Sequence, residues 1–444
     1  MSDPPALGSF RSDSPALGAG LSGSGPGAAQ GEVPASVRVF ASPSSWIESD
    51  ALRQCEQVAA LPGMLHVAGM PDLHPGKGAP VGAAMTSTLL YPHLAGSDIG
   101  CGITVFPITL RRADPERLAA RFPNLDRALD PERDADHPAW AAVPDASPDG
   151  VPGGTPDSQG GQGGQGGLGG LGGLGTLGRG NHFAELARIG PLLSPVGAGI
   201  AGQVGSGGPD DAAGLAEGRL VLIVHSGSRA WGERILRAHT EGHGAAPAPD
   251  PAAYLAAHDQ AVRWASVNRR VIAARIAHAL GTELRDPLLD LTHNSIEPCE
   301  GGYLHRKGAA PGDGLVLVAG SRGTPSYPVT AHAGAQANFS IAHGAGRKMS
   351  RADALRRGQA KHTVRELRRT RLGSLVICGD RHLLFEEAPD AYKRIDQVVA
   401  DLTSHDLATP LATTIPIITY KTPDAEPARH HEPPGPGRRP RRRR

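Results

Sequence analysis

Gly96-Ser97-Asp98-Ile99-Gly100-Cys101-Gly102-Ile103-Thr104-Val105-Phe106-Pro107-Ile108-Thr109-Leu110 joins two kinds of sequence in one run. The first half is a polar turn. Its glycines let the backbone take positive φ and approach a ligand closely. Asp98 and Cys101 put a carboxylate and a thiolate within reach of one metal ion. The second half, Ile103 to Leu110, alternates as a strand does. A strand fed by a turn that carries donor atoms is therefore the first element read from this chain.

Working outward, the same pairing recurs. The apolar run Leu220 to Val224 leads into His225-Ser-Gly-Ser-Arg229. Asn181-His182-Phe183-Ala184-Glu185 follows a glycine-rich stretch, and His293-Asn294 lies beyond a helical segment. Ser340-Ile-Ala-His343 follows a turn-rich segment. Histidine beside small or polar residues at strand ends presents imidazoles to a shared pocket. Taken singly, each reads as well as a surface or hydrogen-bonded core residue. With Asp98 and Cys101 they make six potential metal ligands, and spacing does not separate ligand from catalyst.

Leu315 to Val318 and Leu375 to Cys378 read as further buried strands. Trp264, Val267, Val271, Ile272, Ile276 and Leu280 recur at helical spacing, and Ala388 to Leu402 also reads as a helix. Strands and helices mix irregularly, so the fold class is mixed α and β, a single large domain over residues 37–421. Residues 1–36, the insertion 145–175, a looser stretch at 197–214 and the basic tail 422–444 are Gly-, Pro- or Arg-rich. Such composition predicts disorder.

The net charge of +1 gives no global case for nucleic-acid binding. Eight Lys or Arg between Arg351 and Arg371 supply a local one, an exposed helix face being the plain alternative. The four cysteines lack Cys-x-x-Cys spacing, which argues against a disulfide scaffold and fits a reducing cytoplasm. No signal peptide or membrane-length apolar run is read. His343-Gly344-Ala345-Gly346-Arg347 would let a phosphate approach backbone amides, with Arg347 on an oxygen and the imidazole as nucleophile. Alone, it reads first as a glycine-rich turn. Met70 to Gly78, His305 to Gly308 and Ala319 to Ser326 also combine charged or polar groups with turn residues.

Taken in order, the segments MPDLHPGKG, AGSDIGCG, LGRGNHFAEL, VHSGSRAWG, THNSIE, HRKGA, AGSRGTPSY, SIAHGAGRKMSRADA, EEAPDAYKRIDQV and PIITYK closely resemble the RtcB family of RNA ligases. In length the chain resembles that family's shorter bacterial branch, coupled to release factor H. The resemblance implies an enzyme of RNA repair or tRNA splicing. It would join 2′,3′-cyclic phosphate or 3′-phosphate RNA ends to 5′-hydroxyl ends, with GTP as co-substrate and two manganese ions. It implies His343 as the nucleophile that takes GMP. Asp98 and His182 would hold one ion, His225 and His293 the other, and Cys101 both. Asn181, Glu185, Asn294, Ser321, Ser326, Lys421 and the backbone from Gly344 to Gly346 match guanylate positions. An archease-like activator is an expected partner. Ser295, Ala319, Arg322 and Ala342 depart from the family pattern, with Arg322 expected at the guanylate pocket. A dinuclear-metal RNA-end phosphoesterase and a non-catalytic RNA-binding damage sensor are the competing readings.

Overall fold

A computed structural model describes residues 35–110, 113–143, 173–193 and 215–423, all within one contact unit. The expected disordered segments lie outside the described residues except at their edges. Ser36 opens the first strand and Thr422 closes the last. Gly173 to Gly175, counted in the expected insertion, is described: Leu174 is buried, and the Gly175 N–H donates to the Asn268 side chain.

The described strands are β1 (Ser36–Val39), β2 (Met64–His74), β3 (Val81–Ser87), β4 (Gly102–Ile108), β5 (Phe183–Leu192), β6 (Leu220–Ser226), β7 (Leu289–Thr292), β8 (Asn294–Cys299), β9 (Gly302–Lys307), β10 (Ala309–Pro311), β11 (Asp313–Val318), β12 (Tyr327–His332), β13 (Ser340–Ala342), β14 (Leu375–Cys378), β15 (Ala408–Pro410) and β16 (Ala412–Thr422). The described α-helices are α1 (Ser49–Ala59), α2 (Pro115–Ala119), α3 (Ala230–His243), α4 (Pro251–Leu280), α5 (Arg351–Lys361), α6 (Val364–Arg368), α7 (Arg381–Glu386) and α8 (Ile395–Ser404). None is long and apolar enough to cross a membrane.

A six-stranded sheet in the order β14-β16-β5-β6-β4-β7 organises the molecule, beside sheets β1-β2-β3-β9-β8, β11-β12-β15 and β10-β13. The mixed α and β class is thus the observed one. On one face of the six-stranded sheet, Phe106, Leu186, Leu222 and Val224 pack with Ile272 and Ile276 of α4. On the other, Val105, Ala187, Val221 and Ile223 pack with Leu317. Alternation along β4 and β6 divides the residues between the two faces.

Helix α4 has clear end signals. The Asp250 side chain accepts from the Ala253 N–H, Pro251 occupies the first turn, and Gly281 ends the helix at φ +72°. The helix expected from Ala388 starts later, at Ile395. Tyr392 instead bridges to Arg347, and the Lys393 N–H donates to the Gly346 carbonyl, which holds this stretch extended. His293 lies beyond α4, as expected, with the short strand β7 between them.

Candidate metal centre and nucleotide pocket

Strand direction explains how distant donors meet. β4 runs antiparallel to β6 and β7, and β5 antiparallel to β6. The starts of β4 and β5 therefore share an edge with the ends of β6 and β7. Cys101 precedes β4, His182 precedes β5, His225 is the penultimate residue of β6, and His293 follows β7.

Two ligand sets result. Donor atoms of Cys101, His225 and His293 lie within 4.8 Å of one another, as do those of Asp98, Cys101 and His182. The Cys101 Sγ is common to both, 3.4 Å from His182 Nε2 and 3.3 Å from His225 Nε2. His182 Nε2 lies 2.8 Å from an Asp98 oxygen, and the Nε2 atoms of His225 and His293 are 3.2 Å apart. The Leu177 carbonyl, 3.1 Å from His182 Nδ1, accepts from that nitrogen and so turns Nε2 inward.

The electrostatics suit cation binding. Burial, reinforced by neighbouring histidines, pushes His225 and His293 well below the usual imidazole range, so both rings present lone pairs. Burial opposes ionisation of Asp98, but His182, a Cys101 hydrogen bond and Arg229 outweigh it and hold the group below its usual range. Burial first, and then the Asp98 charge, push the Cys101 thiol well up. A cation between these groups reverses that last penalty. One thiolate, one carboxylate and three imidazoles with converging nitrogens fit two divalent transition-metal ions.

Arg269, on α4 and fully buried, braces this edge. Its guanidinium donates to the carbonyls of Gly100 at 2.9 Å and Ser226 at 3.0 Å, to the Thr104 hydroxyl and to Asp290 at 2.7 Å. It thereby joins the Cys101 turn to the His225 strand. Gly100, at φ +75°, lies against α4, where a Cβ would come within 2.9 Å of the Val262 Cα. Arg269→Met takes the guanidinium from two buried carbonyls and leaves Asp290 with only the Thr104 and Ser266 hydroxyls as donors. We expect a loss of about 3 kcal/mol, the lower end for a broken buried pair because Asp290 keeps some solvent. Urea denaturation with unchanged m-value checks this.

His343 follows β13 with its ring centroid 4.6 Å from that of His293. Its Nδ1 lies 2.7 Å from the carboxylate of Asp72, which is fully buried. The backbone around His343 is crowded. A Cβ on Gly346 would meet the Asp72 carbonyl at 2.2 Å, and one on Gly308 would come within 3.1 Å of the His343 ring. Only glycine permits this approach.

A pocket of about 380 Å³ opens from the metal cluster. It brings together Asn181, Glu185, Asn294, Ser321, Ser326, Gly344, Gly346 and Lys421 with Asp98, Cys101, His225, His293 and His343. His182 stands behind this wall. The Asn294 amide donates to the Asp98 carbonyl and accepts from the Gly308 N–H, which ties the metal turn to the pocket. Ser326 Oγ accepts from the Gly320 N–H, and Ser321 lies against Thr324.

The pocket lining also carries charged and titratable groups outside the two ligand sets. Glu185 accepts from the Thr419 hydroxyl at 2.6 Å. Burial pushes its carboxyl up to about 7, against the pull of Thr419 and Lys421. Glu387 gathers Lys421 at 3.8 Å, Arg347 at 2.7 Å and the Tyr392 hydroxyl. Arg347, read from sequence as a phosphate holder, is thus engaged by a carboxylate. Arg322 lines the pocket, yet it donates to the carbonyls of Glu387 and Leu384 at 3.0 and 2.5 Å. Sequence reasoning assigned no role to Asp72, Arg269, Glu387 or Tyr392. Of these, Asp72, Glu387 and Tyr392 lie inside quoted motifs, which was the available signal.

The family model described as tRNA-splicing ligase RtcB matches residues 54–138 and 168–422. An Escherichia coli RNA-splicing ligase RtcB2 is 39% identical over 405 residues, covering 87% of this chain and 95% of that protein. The RNA-splicing ligase RtcB of Mycobacterium tuberculosis is 31% identical over 439 residues, covering 82% and 99%. An Archaeoglobus fulgidus tRNA-splicing ligase RtcB is 28% identical over 448 residues, covering 80% and 87%. With a matching family model over most of its length, the chain belongs to the RtcB tRNA-splicing ligase family.

Proposed function

We propose that the chain is a GTP- and manganese-dependent RNA ligase. It joins 2′,3′-cyclic phosphate or 3′-phosphate ends to 5′-hydroxyl ends through a guanylylated His343. The observation that carries this reading is the pair of ligand sets sharing Cys101 beside the His343 ring, in a pocket that the buried carboxylate of Glu185 also lines. Asp98, Cys101 and His182 hold one ion, and Cys101, His225 and His293 the other. Bound there, manganese supplies Lewis acidity against charge on phosphoryl oxygens.

Asp72 orients the His343 ring at Nδ1 and leaves Nε2 for the α-phosphorus of GTP. The nitrogen–phosphorus bond forms as the bond to pyrophosphate breaks. A cyclic phosphate end is first opened by water. GMP then passes from His343 to the 3′-phosphate, the 5′-hydroxyl attacks that activated end, and GMP leaves. Asn181, Asn294, Ser321, Ser326, Gly344, Gly346 and Lys421 form the guanylate cradle. The cellular setting is cytoplasmic RNA repair or tRNA splicing, with an archease-like activator as partner.

The test uses GTP labelled on its α-phosphate, with manganese and RNA bearing the two end types. An acid-labile, base-stable protein adduct together with joined RNA supports the ligase. Cyclic-phosphate hydrolysis without adduct makes the protein a phosphoesterase. RNA retention with neither makes it a binding protein.

Glu185 gives the reading a pH signature. An ionised carboxylate accepts both N1–H and N2–H of guanine, donors that adenine does not present together. Above about pH 7 Glu185 is ionised and accepts both; below it, protonation removes the second acceptor. Guanosine affinity is expected to fall about tenfold per pH unit below that point. Guanosine has no phosphate to titrate, so calorimetry with it reports on the protein. A Glu185→Gln variant is expected to bind weakly at every pH, and an unchanged pH slope in it would refute the assignment.

A further inference from the structure

The histidines that line the pocket are His74, His225, His293 and His343. Three have roles in the reading above; His74 has none. It closes β2 in the motif Met70-Pro-Asp72-Leu-His74 and lines the pocket together with Lys77. Its Nδ1 lies 2.9 Å from the main-chain carbonyl of Asp72. A carbonyl oxygen only accepts, so Nδ1 carries the proton. In the neutral ring, Nε2 then carries the free lone pair. Asp72 thus touches two imidazoles: its carboxylate lies 2.7 Å from His343 Nδ1, and its carbonyl accepts from His74 Nδ1.

We propose that His74 is the proton acceptor in the sealing step. The proposal rests on the ligase reading and assigns a residue to a step that reading leaves without a base. The attacking 5′-hydroxyl oxygen bonds to the activated 3′-phosphorus. Its proton passes to His74 Nε2, the phosphorus–oxygen bond to GMP breaks, and GMP departs as its anion. The loaded metal centre engages the lone pairs of His225 and His293. His74 is the pocket imidazole whose lone pair stays free throughout.

Its surroundings keep the ring neutral until substrate arrives. Burial lowers its pKa to about 4, opposed by the Asp72 carbonyl and carboxylate and aided by His343 and Lys393. Lys77 and Lys307 add positive charge to the pocket lining. RNA phosphates entering the pocket favour the imidazolium and raise its basicity toward the working pH.

The test isolates sealing. RNA carrying a preformed 3′-diphosphoguanosine end is mixed with manganese-loaded protein and a 5′-hydroxyl RNA in single turnover. His74→Gln keeps a donor for the Asp72 carbonyl and has no titratable nitrogen. It is expected to form the GMP adduct within about threefold of wild type and to seal about 10²–10⁴-fold more slowly. The acid limb of the pH–rate profile should vanish, and imidazole should restore sealing to His74→Gly. Wild-type sealing by His74→Gln overturns the proposal. So does an equal loss at adduct formation that imidazole does not rescue, because the role is then structural. Sealing lost in His343→Ala but kept in His74→Gln moves the base to His343. Absence of any adduct in the wild-type protein overturns the ligase reading instead.

Discussion

His343→Ala is expected to yield protein that binds two manganese ions and forms no GMP adduct. His343 belongs to neither ligand set, so the ions have no reason to leave. Its loss removes the group to which the reading assigns the nitrogen–phosphorus bond. The side chain is 14% exposed and faces the fully buried Asp72 carboxylate, so truncation also lowers stability, and thermal denaturation is read beside the adduct assay. Removing a covalent nucleophile typically costs at least about 10⁴-fold in turnover. The pairing with Asp72 predicts a graded companion. Asp72→Asn keeps the shape and removes the charge beside Nδ1, so adduct should form slowly rather than not at all. Intact protein mass and metal analysis by plasma mass spectrometry read the two properties separately. Adduct that survives in His343→Ala would end the assignment.

Cys101→Ala is expected to empty both metal positions, whereas His182→Ala or His293→Ala should weaken one. The difference follows from geometry: Sγ is the atom common to the two sets, and the histidines divide between them. Losing a directly bound ligand should exceed the 10- to 100-fold loss of affinity typical of removing a supporting hydrogen bond, so about 10²-fold or more at each position is expected. The apoprotein should remain folded. Cys101 is nearly fully buried, and trading a thiol for a methyl removes little volume. Cys101→Ser, which keeps a weaker donor, should retain some metal. Undiminished retention of two ions by Cys101→Ala would show that the thiolate is not shared.

Much of the site was legible in the sequence because its signals are local. Asp98 and Cys101 share a turn, and His182, His225 and His293 each sit where a strand begins or ends, with glycine or a small polar neighbour alongside. What stayed hidden depends on contacts between distant segments. Nothing near Asp72 announces His343, and Arg269 looks like any cation on a long helix until β4 and β6 lie beneath it. The start of the helix expected from Ala388 was misplaced for the same reason: the bridge from Tyr392 to Arg347 outweighs local propensity, and the helix begins at Ile395. Arg322 shows the reverse error. Its position at the pocket was legible, but not the two carbonyls that turn its donors into the protein.

The brace made by Arg269 bears on how this protein lives with its ions. Zinc fingers fold because metal arrives; their donors have no common location until the ion collects them. Here one guanidinium fastens the turn and the neighbouring strand to the same helix without help from a cation. The donor atoms are therefore a standing socket. Stripping metal from the proposed centre is thus expected to leave the fold intact, with equal thermal denaturation midpoints before and after chelation to within a few degrees.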